Sequence, residues 1–419
     1  RRVLFRSVEN MRDNNPPITA DMNSLLTIRS LNTSTVRSVN QRIILDKIYE
    51  KQIASRTELS RDLKISKPAI ADNLDALLAV GIVQEYGEGE VAKSGGRKPR
   101  LIRFNKNFRN IIAIDLNFKD PIFVLGNLKG EIFNEFSIKI SEQANAQVRI
   151  NLIKNAIHIL LNSRDAKVDS LACIAISSPG VFHDKKELSF ANPQFKEWFD
   201  LDLPKLISEE FKVNVLLKND VNMAAYGELC YGSGKNSRNI LYISCGRGVG
   251  AGLILDSKLY EGHYHSAGEI FNNIDPVKLN NKSNLEKTIY LDTLIKKSQD
   301  IIKKKTTSSF TEEISDFDRI VKAYQENNPY LLKLLDDIGT ELGCTITNIV
   351  NLLSIDTVII GGEYIVFYKT LYERISKIMN EHCIFSPAIY PSKLGRYAGI
   401  MGLFAISREH YFDSLIRSL

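Results

Sequence analysis

The chain is 419 residues long, 44% hydrophobic and 25% charged, with 24 Gly, 12 Pro and five Cys. At roughly 150 residues per domain this length predicts two or three domains. A composition so near the globular average excludes a wholly disordered, collagen-like or coiled-coil chain. The formal net charge of +6 sits at one end: residues 1–36 carry +2, residues 37–105 carry +4, and the rest balance to zero. Nucleic acid at the N-terminal end is one reading, and a fluctuation of surface charge is the other. The cysteines (Cys173, Cys230, Cys245, Cys344 and Cys383) are odd in number and scattered, with no CxxC spacing. A disulfide framework and a cysteine-rich zinc site are therefore not expected. With no run of 18 apolar residues and no signal-peptide pattern, the expectation is a soluble, cytoplasmic protein with no membrane contact.

Residues 1–36 are polar, without sustained periodicity, and are expected to be disordered or extraneous to the fold. A first helix begins at Ser38, with Ile44, Leu45 and Ile48 on its apolar face, and ends near Tyr49. Ser55-Arg56-Thr57-Glu58 reads as a capping box opening a second helix that runs to Leu63. Ser66 is an N-cap, Pro68 lies in the first turn, and a third helix ends at Gly81. Two strand-like pieces, Ile82 to Tyr86 and Arg100 to Phe104, flank a loop rich in glycine and charge. Three helices and a two-stranded wing over residues 37–105 make a winged helix-turn-helix. The outward positions of its third helix, Lys67, Ala69, Ala71, Asp72 and Asn73, are candidates for the major groove. Asn73 suits adenine and Asp72 suits cytosine N4, although helix-surface polarity accounts equally for each taken singly. In the wing, Arg97, Lys98 and Arg100 beside Gly95-Gly96 are candidates for a narrow minor groove.

Residues 106–419 read as α/β. Strands are expected at Ile111–Leu116, Pro121–Asn127 and Glu131–Ile138 in a meander, then at Ser170–Ser177 and Val213–Lys218, with helices at Val148–Leu161 and Lys205–Phe211. A second meander covers Asn239–Cys245, Gly250–Leu255 and Lys258–Tyr260. Helices follow at Leu285–Lys304, Ile314–Gln325 and Tyr330–Ser354, with a buried strand at Thr357–Ile360. Two meanders, each followed by helices and further strands, suggest a duplicated architecture with a cleft between two lobes.

Four stretches carry a further signal: Ser178-Pro179-Gly180-Val181, Lys218 to Ala225 (with Asn219-Asp220), Gly246 to Gly252, and Ala267-Gly268-Glu269-Ile270. In this order, behind a winged helix, they resemble the ROK family of sugar-responsive repressors and sugar kinases over about residues 40–410. The resemblance implies a two-lobed actin-like ATPase fold with a monosaccharide between the lobes. It assigns the sugar to Asn219, Asp220, Glu269 and Glu286. A sugar's ring of hydroxyls suits carboxylates and carboxamides in fixed geometry. Taken alone, Asn219-Asp220 also reads as an Asx turn with a helix N-cap, Glu269 as a loop carboxylate and Glu286 as a helix-start carboxylate. His263 and His265 read as solvent-exposed.

The sequence also departs from the family. Its zinc-ligand positions fall on Asn272, Val277, Leu279 and Asn284, none of which suits zinc, so no metal or other cofactor is expected. The first phosphate hairpin, Asp-x-Gly-Gly-Thr-Lys in kinases, is Asp115 to Asp120 here and lacks both glycines. Kinase activity is therefore not expected. The leading reading is a repressor of sugar-utilisation genes, closest to xylose-repressor-type members. It would bind palindromic operator half-sites as a homodimer or dimer of dimers under a small sugar effector. The alternatives are an ATP-dependent hexose kinase with an appended DNA-binding domain, and a DNA-binding scaffold whose cleft has decayed.

Overall fold

The computed structural model describes residues 33–89, 98–116, 120–141, 144–164, 166–181, 202–270, 289–299 and 316–419. It divides into two compact units. The first holds the chain up to Asn105 together with Phe412–Leu419, and the second runs from Lys106 to Tyr411. The sequence reading sets its boundary after residue 105 and expects residues 106–419 in the C-terminal domain.

The first unit contains helices α1 (Thr33–Lys51), α2 (Arg56–Leu63) and α3 (Lys67–Val80) and strands β1 (Ile53–Ser55), β2 (Val83–Glu88) and β3 (Arg100–Phe104). The capping box forms as the sequence predicts. Glu58 N–H donates to Ser55 Oγ at 3.2 Å, and Ser55 N–H donates to Glu58 Oε2 at 2.8 Å. Two orphan donors are thus satisfied reciprocally. Ser66 Oγ caps α3 by accepting from Ala69 N–H, and Gly81, at φ 87°, ends the helix in the left-handed region. The sheet has the order β1-β3-β2, so one short strand escapes the sequence reading. Ile44, Leu45 and Ile48 of α1 close on Leu59, Ile70, Leu74 and Leu77, all fully buried. Tyr49, Phe104 and Phe412 add an edge-to-face cluster with ring centroids 5.2–6.0 Å apart.

In the second unit, one sheet is built from β4 (Asn110–Asp115), β5 (Ile122–Asn127), β6 (Ile132–Ser137), β7 (Leu171–Ser178) and β8 (Val215–Asn219) in the order β6-β5-β4-β7-β8. The other has β9 (Ile240–Cys245), β10 (Val249–Leu255), β11 (Lys258–Tyr260), β12 (Thr357–Gly361) and β13 (Ala388–Pro391) in the order β11-β10-β9-β12-β13. Each is an antiparallel meander extended by two parallel strands. The duplication expected from the two meanders is present strand for strand. Helices α4 (Ala146–Asn162) and α5 (Leu203–Phe211) bury Ile153, Ile157, Leu160, Ile207 and Phe211 against the first sheet. Helices α6 (Asp220–Tyr231), α7 (Leu291–Lys297), α8 (Asp316–Gln325), α9 (Pro329–Leu353), α10 (Tyr368–His382) and α11 (Ala398–Ser418) complete the described elements. The helix expected over 285–304 is seen as α7, and its flanks at 285–288 and 300–304 lie outside the described residues.

Candidate functional site

The chemistry of the second unit gathers where β4, β7 and β8 end side by side. Parallel register sets Asp115 against Ser177 and Ser178 against Asn219. Ser177 Oγ donates to Asp115 Oδ1 at 2.9 Å. Asn219 is the N-cap of α6: its Oδ1 accepts from Asn222 N–H at 2.8 Å, and its Nδ2 donates to the Gly180 carbonyl at 3.0 Å. The capping role and the loop contact to Ser178-Pro179-Gly180 are therefore simultaneous, and the Asx reading of Asn219 is correct as far as it goes. Asp220 follows in the first turn and accepts from Val221 N–H at 2.8 Å through Oδ1.

The two carboxyls are electrostatically strained. Burial, then the facing Asp220 carboxylate, push Asp115 up to about 7, opposed by the Ser177 hydrogen bond. Burial pushes Asp220 up to about 6, opposed by the backbone N–H groups of Val221 and of Asp220 itself. Both residues keep intermediate exposure, so the recess that desolvates them is not sealed. Sequence reasoning placed Asp115 in a phosphate hairpin and missed it as the electrostatic partner of Asp220. The signal available was a polar residue at the end of each of two adjacent parallel strands, where α/β sheets place ligands.

Although Asp220 follows a strand of the first sheet, α6 packs on β10 of the second. A side chain at Gly252 would strike Ala225 Cβ at 2.5 Å, and one at Gly250 would meet Val221 at 3.1 Å. The glycines of the Gly246–Gly252 stretch are thus accounted for in part by helix packing alone. The loop carrying Glu269 closes on the same strand: Gly268, at φ 94°, accepts from Ala251 N–H at 2.8 Å, and a Cβ there would lie 1.9 Å from the Ala251 carbonyl oxygen. Lys218, next to Asn219, lies 3.6 Å from Glu261 at the start of that loop. The structure therefore brings Asn219, Asp220 and the Glu269 loop to one region. His263 is exposed, and His265 Nδ1 lies 3.8 Å from Glu261. Glu286, Asn272, Val277, Leu279, Asn284 and the hairpin residues 117–119 lie outside the described residues.

In the first unit, Lys67 and Asp72 are exposed on α3, and Ala69 and Ala71 are partly exposed. Asn73 must be corrected. It is only 5% exposed, and its Nδ2 donates back to the Ala69 carbonyl at 2.7 Å, so its side chain is turned into the unit and is not offered to a base. The apolar face of α3 is wider than leucine spacing alone suggests, and Asn73 falls between Ile70 and Leu74. In the wing Lys98 is exposed, Arg100 is exposed with an ion pair to Glu85 at 3.0 Å, and Arg97 lies outside the described residues.

The chain is similar to the xylose repressor of Caldicellulosiruptor bescii, 26% identical over 391 residues that cover 90% of this chain and 96% of that protein. Among solved structures, a ROK family transcriptional regulator homologous to the E. coli MLC protein matches with a TM-score of 0.75 at 21% identity, over 91% of this chain and 98% of its own. A ROK family glucokinase from Streptomyces griseus, solved with glucose and AMPPNP, matches with a TM-score of 0.60 at 18% identity, over 72% of this chain and 99% of its own. The sequence pattern of the ROK family itself matches residues 111–410. That span takes in both sheets, every described element of the carboxylate site and most of α11, and the chain belongs to the ROK family.

Proposed function

We propose that the protein is a DNA-binding transcriptional repressor whose operator affinity is set by a monosaccharide held at Asn219, Asp220, Glu269 and Glu286. The observation that carries this reading is where the similarities stop. The similarity to a repressor covers 90% of the chain, whereas the match to a glucokinase covers 72%. Neutral, polyhydroxylated ligands suit a pair of crowded carboxylates, because hydroxyl donors stabilise the ionised form that burial disfavours. Xylose is the first candidate, from the name of the similar repressor. On the DNA side, Lys67, Ala69, Ala71 and Asp72 face a major groove, and Arg97, Lys98 and Arg100 reach a minor groove. One recognition helix reads only a few base pairs, so a homodimer or a dimer of dimers on palindromic half-sites completes the reading, in the cytoplasm.

A sugar kinase is the second reading, and one observation favours it: Asp220, at about 6, is placed in the range a general base needs. Against it stands Glu363, whose Oε2 accepts from Arg247 N–H at 3.4 Å and lies where a Cβ on Gly246 would come within 1.7 Å. A carboxylate thus lies over the loop whose backbone N–H groups would hold a phosphate, and like charge excludes like. The test pairs two assays on the full chain. Selection of duplexes from a random-sequence pool, followed by titration with D-xylose at fixed salt, should yield a palindrome whose affinity changes with the sugar. Coupled ATP turnover with hexoses and pentoses should stay at background. Turnover without DNA selection would reverse the assignment.

A further inference from the structure

We infer that Arg56 of α2, braced by Asp75 of α3, is a base-reading side chain of the winged-helix unit and takes a guanine in the major groove, an inference that rests on the DNA-binding reading above. α3 lays Ile70, Asn73, Leu74 and Leu77 into the core. At about 3.6 residues per turn, the direction opposite to these four belongs to Pro68, Asp72, Asp75 and Ala79. All four are exposed. With Asn73 turned inward, this outermost stripe consists of a proline, an alanine and two carboxylates. Lys67, at the helix start, lies off it. The stripe's own side chains contain no donor for the acceptor edge of a purine, and two bare carboxylates would face the phosphates with like charge.

The neighbouring helix supplies what α3 lacks. Arg56 Nη2 donates to Asp75 Oδ1 at 2.7 Å, which sets a guanidinium from α2 on the outward stripe of α3. Its backbone is fixed as well, because Arg56 is the first residue of α2 and directly follows the N-cap Ser55, whose capping box with Glu58 holds that turn. Held at both ends, the side chain has little further freedom to lose on binding. A cation in the first turn of a helix opposes the helix dipole. The ion pair adds little to folding, since 39% of the Arg56 side chain and 61% of the Asp75 side chain remain exposed. Stability alone therefore does not explain the pair. Recognition does. One of the five guanidinium donors engages Asp75, and a guanine needs two more in the same plane, aimed at O6 and N7. Asp75 acts through Arg56, as a positioning residue: it offsets the charge and orients the plane of the fork.

The test uses the full chain, a duplex that the wild type selects from a random-sequence pool, and every single base-pair variant of that duplex, all at one salt concentration. Arg56→Ala and Arg56→Lys should each lose about tenfold of the preference at one G·C pair and leave the other positions as they are. Lysine keeps the charge but not the planar fork, so Arg56→Lys should retain most of the affinity for an unrelated duplex, and it covers the case in which alanine perturbs α2. Asp75→Asn should relax the same G·C pair by less, and should raise affinity for unrelated duplexes by removing a negative charge. In the Arg56→Ala background, Asp75→Asn should have no further effect at that pair, a result that a merely structural role for Asp75 would not give. An unaltered base profile in the Arg56 variants overturns the inference. So does a uniform loss over all duplexes with the slope of log affinity against log salt reduced by about 1, the mark of a phosphate contact. A wild type that selects no duplex overturns the DNA-binding reading itself and this inference with it.

Discussion

Replacing Asp115 by Asn should stabilise the second unit, and the gain should grow with pH. Asn keeps the shape and still accepts from Ser177 Oγ, but it removes the charge that burial and Asp220 oppose. In the folded protein Asp115 ionises at about 7, against an ordinary 3.8. A raised carboxyl costs nothing while both states are protonated, below about pH 4. As pH rises the unfolded chain releases its proton first, so the native state loses stability until about pH 7 and then levels off. Each pH unit in that window costs about 1.4 kcal/mol at full burial. Between pH 5 and pH 8 this is at most about 3 kcal/mol, and the partial exposure of Asp115 reduces our expectation to about 2 kcal/mol. Denaturant unfolding of wild type and variant at pH 5, 6, 7 and 8 measures the difference directly. A difference that does not change with pH, or that shrinks from pH 5 to pH 8, would show that Asp115 is not held protonated by its surroundings.

Variants in both units have definite outcomes as well. Sugar binding by an ionised Asp220, at about 6, should weaken about tenfold from pH 7 to pH 5 by calorimetry, and Asp220→Ala should abolish the operator response to sugar while leaving sugar-free operator affinity within about twofold. Ser55→Ala removes the hydroxyl half of the capping box and should cost the first unit about 1 kcal/mol, read as a lowered thermal midpoint. Lys67→Ala should weaken binding to all duplexes alike and reduce the slope of log affinity against log salt by about 1, whereas Asp72→Ala should alter preference at one base pair.

How much of this was legible in the sequence depended on whether the cause was local. Helix caps are set by residues within one turn, and Ser55, Glu58, Ser66 and Gly81 act where the sequence puts them. Meanders separated by short polar turns are equally local, and both were readable. Asn73 was not, because whether a polar residue on a short helix points in or out is decided by what packs there. The coupling of Asp115 to Asp220 spans more than a hundred residues and exists only through the β4-β7-β8 register. The role of α11 is divided between two cores, and its apolar positions follow neither partner alone: Leu403 and Phe404 are buried in the second unit, Phe412 and Ile416 in the first.

The energy required of the effector bears on the assembly that uses it. Moving an operator from almost wholly bound to almost wholly free takes about 5.5 kcal/mol of differential binding. A single monosaccharide gains that difference only from contacts present in one state and absent in the other. Hydrogen bonds to charged groups are worth about 1.5–3 kcal/mol each. Two contacts from the carboxylates proposed to hold the sugar therefore supply roughly the difference needed from one site only if both are lost completely on switching. With two sites acting on one palindrome, each needs to supply about half, some 2.7 kcal/mol, which one carboxylate contact per chain provides. Symmetry on the DNA and modest chemistry at the sugar are then two consequences of the same requirement. The mark of this arrangement is steepness: operator release should follow sugar concentration with a Hill coefficient well above 1, falling to 1 in heterodimers that carry Asp220→Ala in one chain. Release with a coefficient of 1 in the wild type would mean that a single site carries the whole difference, and that both carboxylates are exchanged in one step.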